Sequence, residues 1–146
     1  MLVSAHLPIY VFFCSFVVLS SVANVRSAEA PKEIQGLIAG VREKCHRETG
    51  VDIEHVERTT DGHFHESEVL GCYFSCVFNS FDLLDHDGHM DFDKLLKKLP
   101  AVESFADHGA AMVAACRHIT GANPCESAFK IMQCWQSTYP DKYFVI

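Results

Sequence analysis

The chain has 146 residues, 49% of them hydrophobic, and a formal net charge of −7 with histidine counted neutral. That length bounds the fold to one domain of ordinary size. The acidic balance argues against nucleic acid and anionic membrane surfaces as partners.

Taken in chain order, residues Leu7 to Ala23 form an uncharged apolar run, which reads as the core of a secretory signal peptide. Val25-Arg26-Ser27 supplies acceptable residues for cleavage after Ser27, although no Lys or Arg precedes the run. Residues 1–27 are therefore expected to be removed, leaving a mature domain of 28–146 that is one charge more acidic. Of the seven cysteines, Cys14 leaves with the peptide, and the remaining six make an even number with no spare thiol.

Helical periodicity dominates the mature part. Pro31 is suited to open a first helix, because its missing N–H is harmless there. Ile34, Leu37, Ile38, Val41 and Cys45 then form an apolar stripe, and Gly50 ends it. A short second helix is expected over Asp52 to Arg58, followed by an Asp61-Gly62 turn. The third helix, Glu66 to Leu84, is apolar on several faces, which marks it as the central element of the domain. A turn at Asp85 to Gly88 leads into a fourth helix, Asp91 to Leu99, stopped by Pro100. The fifth spans Val102 to His118 and the sixth Pro124 to Thr138. Pro140 precedes an apolar tail, Tyr143-Phe144-Val145-Ile146.

The six mature cysteines are Cys45, Cys72, Cys76, Cys116, Cys125 and Cys134, with gaps of 26, 3, 39, 8 and 8 residues. In a small secreted domain such cysteines pair as disulfides, and spacing alone leaves fifteen pairings open. Cys72 and Cys76 share one helix face, one turn apart, so they can staple two different neighbours to the central helix.

Other motifs read blandly. Aligning Gly88 with the turn glycine of a calcium loop puts Leu83 and Lys94 at positions that need oxygen donors, so the segment reads as an acidic turn before a helix. The histidine pairs His63/His65 and His86/His89 lack the spacing of a zinc motif and read as surface groups, with a pH-responsive role as the sharper alternative. No nucleophile elbow, phosphate loop or dinucleotide fingerprint is present. Asp107-His108 raises a phospholipase, but the calcium-loop glycines of such an enzyme are missing. No catalytic residue, metal or cofactor is expected. What remains is an aromatic and methionine-rich interior held by three staples, each worth about 2–4 kcal/mol. Such a domain can tolerate an unfilled cavity, and methionines adapt to varied apolar ligands.

The cysteine pattern, with Gly71-Cys72-Tyr73, Phe92-Asp93-Lys94-Leu95, Leu99-Pro100, Cys134-Trp135 and the Tyr143-Phe144-Val145-Ile146 end, resembles the insect odorant-binding proteins. This is the six-cysteine pheromone and general odorant-binding family. The likeness covers Pro31 to Ile146. It implies an all-α fold of six helices around an apolar cavity, with Cys45–Cys76, Cys72–Cys125 and Cys116–Cys134 bonded. It also implies pocket walls from Phe92, Leu95 and Leu99, from Phe105, Gly109 and Met112, from Met132 and Trp135, and from Tyr143 and Phe144 in the tail. Met132 stands where some relatives place a histidine. The 12 residues after Cys134 are too few for the C-terminal helix of long-tailed relatives, so the tail is expected to act as a lid or wall. Trp135 and Tyr143 are candidate hydrogen-bond donors to a ligand. The implied function is that of a secreted carrier, monomeric or weakly dimeric. It would take a small hydrophobic volatile through aqueous lymph, with an olfactory receptor as a further partner. The competing expectation is a secreted interaction or defence protein with a filled core.

Overall fold

The computed structural model describes residues 28–146; the expected signal peptide, with Cys14, lies outside the described residues. Among the described residues there are six α-helices: α1 Gln35–Thr49, α2 Ile53–Glu57, α3 Glu68–Ser80, α4 Phe92–Lys98, α5 Ala106–Cys116 and α6 Pro124–Thr138. Short 3-10 turns extend α2 and link α4 to α5. Among the described residues, the β-type pairing is a single bridge between Leu84 and Met90.

Side-chain caps set most of the helix starts. Asp52, Ser67, Asp91 and Asn123 each accept a hydrogen bond from a backbone N–H two or three residues on. These caps satisfy donors that a helix leaves unpaired at its first turn. At its other end α1 closes on Gly50, whose φ of 67° lies in the left-handed region that glycine enters freely.

Three boundaries differ from the sequence expectation by more than two residues. Helix α1 begins at Gln35 rather than Pro31. Ile34 sits at φ −116°, and the Gln35 side chain turns back to donate to the Ala30 carbonyl at 2.8 Å. Helix α3 ends at Ser80 rather than Leu84. Asp82 adopts φ 53°, and its carboxylate lies 3.3 Å from Lys98 Nζ and 3.6 Å from Lys94 Nζ. Aspartate tolerates that conformation better than most side chains. Helix α5 starts at Ala106, because residues 99–105 are taken up by two 3-10 turns around Pro100.

The three disulfides are Cys45–Cys76, Cys72–Cys125 and Cys116–Cys134. Cys76 fastens α1 to α3, Cys72 fastens α6 to α3, and the third bond joins the end of α5 to α6. Helix α3 is the hub, packing along α6 and against α1 and burying Leu70, Tyr73, Phe74, Val77 and Phe78. The approach of α3 to α6 is close: a Cβ added to Gly71 would stand 2.5 Å from the Cys125 carbonyl oxygen.

Candidate functional site

A pocket of about 150 Å³, partly open to solvent, lies between the helices. Val77, Phe78 and Phe81 of α3 form one wall, and Leu95 of α4 and Met112 of α5 form another. Ile131, Met132 and Trp135 of α6 complete the ring. Leu83 and Met90 from the turn before α4, Leu99, Val102 and Phe105 from the 3-10 segment, and Ile34 from the N-terminal side fill the gaps. Phe144 and Ile146 wall it on the side of the tail. The lining is apolar apart from Lys98, whose half-exposed ammonium lies against Asp82 outside while its stem faces inward.

Seven of the ten residues expected in the pocket share this lining: Leu95, Leu99, Phe105, Met112, Met132, Trp135 and Phe144. The other three stand behind it. Phe92 is buried in the core at the start of α4. Gly109 touches no cavity space; a Cβ there would collide with Leu99 Cδ2 and come within 3.0 Å of Phe105 Cε1. Its bare Cα lets α5 approach the Leu99–Phe105 segment. Tyr143 is fully buried, with its ring 5.1 Å from that of Trp135 and 6.3 Å from Phe64. Its hydroxyl bonds Thr59 Oγ1 at 2.9 Å, so it faces away from the chamber. Burial pushes the Tyr143 phenol well above the usual tyrosine range.

Wall residues from the turn and the 3-10 segment, such as Leu83, Met90 and Val102, went unanticipated. They lie outside any helical period, and only the Leu84–Met90 bridge brings that turn over the cavity. Val77 and Phe78 of α3 and Ile131 of α6 are buried apolar helix positions that no motif separates from ordinary core.

Hydrogen bonds from two tyrosines hold the tail. Tyr143 bonds Thr59, and the Tyr73 hydroxyl donates to the Ile146 carbonyl oxygen. Burial raises the Tyr73 phenol to about 12. The histidine turns do not reach these contacts directly. His86 is exposed beside Asp87 at 3.2 Å, and His89 Nδ1 lies 3.2 Å from Ser127 Oγ. His65 stacks on His55 with ring centroids 4.2 Å apart, and the intervening Phe64 is the nearest link to Tyr143. The Asp85 turn is self-contained: its carboxylate accepts the N–H groups of Asp87 and His89, each at 2.9 Å. The His89 N–H is the main cause holding that carboxyl below its ordinary range.

The open groove beside α3 and α6 is of a different kind. It runs past Glu66, Glu68, Asn123, Glu126 and Lys130; Asn123 caps α6 and Glu126 pairs with Lys130.

Fold and site together define a disulfide-stapled, all-helical domain with an apolar chamber between its helices, walled on one side by its own tail. The family model described as the PBP/GOBP family matches residues 27–138, and the chain belongs to that family, the insect odorant-binding proteins. General odorant-binding protein 99a of Drosophila melanogaster is 26% identical over 124 residues, covering 82% of this chain and 86% of its own. Odorant binding protein 5 of Apis mellifera superposes with a TM-score of 0.70 at 24% identity, covering 80% of this chain and 98% of its own. Odorant binding protein 4 of Chrysopa pallens gives a TM-score of 0.73 at 18% identity, over 82% of this chain and all of its own.

Proposed function

We propose that the protein is a secreted carrier that takes up small hydrophobic odorants reversibly in the chamber and moves them through aqueous lymph toward olfactory receptors. The observation that carries this reading is the chamber itself: about 150 Å³ of unfilled space between the helices with an almost wholly apolar lining. A void of this size costs packing energy, which three disulfides can offset. Membership of a family whose relatives are named odorant-binding proteins points the same way. The filled-core interaction protein is disfavoured by that same volume.

In this reading Leu95, Leu99, Phe105, Met112, Met132, Trp135 and Phe144 touch the ligand, while Phe92, Gly109 and Tyr143 position them. Residues 1–27 act as the cleaved signal peptide, the carrier works as a monomer or weak dimer, and no bond is made or broken. A ligand burying about 250 Å² of apolar surface gains roughly 6 kcal/mol at about 25 cal/mol per Å². Ordering costs subtract from this. Micromolar affinity, near −8 kcal/mol, therefore calls for close fit or a polar contact.

The test is titration of the oxidised protein with an apolar fluorescent probe, followed by competition with small volatiles. Saturable, displaceable binding is expected. A probe that fails to bind protein with all three disulfides confirmed refutes the carrier reading.

A further inference from the structure

Trp135 is 6% exposed and lines the chamber. Its indole Nε1 is the one buried side-chain nitrogen or oxygen among the described residues that has no hydrogen-bond partner. The Trp135 ring packs against three aromatic rings, Phe105 at 5.6 Å, Tyr143 at 5.1 Å and Phe144 at 5.1 Å between centroids. The Tyr143 hydroxyl is committed to Thr59. Ring faces are weak acceptors beside an oxygen lone pair, and a buried donor left unmet is costly. The rest of the lining supplies neither donor nor acceptor, since the Lys98 ammonium is held outside by Asp82.

We propose that this site selects compact, mostly apolar molecules carrying one hydrogen-bond acceptor oxygen, such as a ketone, aldehyde or ester, with Trp135 Nε1–H as the donor. The proposal rests on the carrier reading and narrows it to a ligand class. Size follows from the volume: a cavity near 150 Å³ accommodates benzene, so the ligands have roughly six to nine non-hydrogen atoms. Alcohols and acids gain less. Their hydroxyl hydrogen would itself need an acceptor that the walls lack.

The experiment pairs acetophenone with cumene, its isostere with a methyl group in place of the carbonyl oxygen. Each displaces an apolar dye from the wild-type protein and from Trp135→Phe. The variant is expected to weaken acetophenone about five- to tenfold and cumene by less than twofold. The chain contains a single tryptophan, so its one indole ¹H–¹⁵N resonance reports the same contact in the wild-type protein, whether or not the variant folds. That resonance is expected to move downfield with acetophenone and not with cumene. Equal losses for both ligands, or an indole resonance that does not move downfield when acetophenone is bound, overturns the proposal and leaves the carrier reading intact. Failure of both ligands and the dye to bind overturns both.

Discussion

The contact between Thr59 and Tyr143 yields a sharp energetic prediction, because the proton positions follow from the geometry. Thr59 Oγ1 donates its only hydrogen to the Val56 carbonyl at 2.7 Å. The Tyr143 hydroxyl, 2.9 Å away, must therefore be the donor in the second bond. Both residues are fully buried. Tyr143→Phe removes a donor and leaves Thr59 still bonded to Val56, so it should cost about 1 kcal/mol, the ordinary net value of such a bond. Thr59→Val is worse. It deletes both bonds and strands the tyrosine hydroxyl in a dry site, for about 2–3 kcal/mol. Adding Tyr143→Phe to Thr59→Val then removes the stranded group, so the double variant should be no less stable than Thr59→Val alone. Urea unfolding of the oxidised protein, followed by fluorescence of Trp135 beside Tyr143, measures all four corners of the cycle. Simple additivity, with the double variant losing about 3–4 kcal/mol, would refute the energetic coupling of the two hydroxyls.

Other expectations follow from the same coordinates. The Tyr143 and Tyr73 phenols are both raised by burial, so the folded state holds their protons after the unfolded chain has released them. Stability is fully present below about pH 10 and falls above it, by about 1.4 kcal/mol per pH unit for Tyr143. Tyr143→Phe should flatten an alkaline unfolding curve measured by far-UV circular dichroism. Replacing Cys72 and Cys125 by Ala opens a 53-residue separation and should cost about 4 kcal/mol, against about 3 for the 18-residue separation of Cys116 and Cys134. Guanidinium midpoints in the reverse order would contradict this ranking. Gly71→Ala drives a methyl group toward the Cys125 carbonyl oxygen, and a thermal midpoint unchanged within one or two degrees would show that α3 and α6 can separate freely. Because the tail contacts involve no histidine, replacing His63, His65, His86 and His89 together should leave the pH profile of probe binding unchanged, and a displaced profile would restore a histidine switch.

Much of the fold is legible in the amino-acid order, for reasons that differ from element to element. The stripe from Ile34 to Cys45 and the all-round apolarity of 69–78 announce helices and a centre directly. Helix α6 was read to its ends, because Asn123-Pro124 and Pro140 are unambiguous punctuation. The end of α3 was missed because its stop is an aspartate in a left-handed conformation, held by Lys94 and Lys98, which lie distant in sequence. The start of α5 was missed because 102–105 keeps helical spacing of its apolar residues while folding as a tighter turn. In the candidate site, helix positions counted from cysteines landed on the wall. Phe92, Gly109 and Tyr143 stand behind it, since spacing reports the face of a helix and not the depth of a cavity. Trp135 is legible as a candidate donor, but that its N–H lacks a partner within the fold is not, because this depends on what its neighbours fail to offer.

The disulfides have a topological consequence. Cys72 lies inside the loop closed by Cys45–Cys76, and Cys116 lies inside the loop closed by Cys72–Cys125. The three loops therefore overlap like links of a chain from residue 45 to residue 134. A single peptide-bond cut anywhere in that span leaves the two pieces joined by at least one sulfur bridge. A nicked molecule would keep its mass on a non-reducing gel and fall apart only when a thiol is added. Against proteases, the fold is thus protected twice, by packing that resists the first cut and by linkage that makes the first cut insufficient.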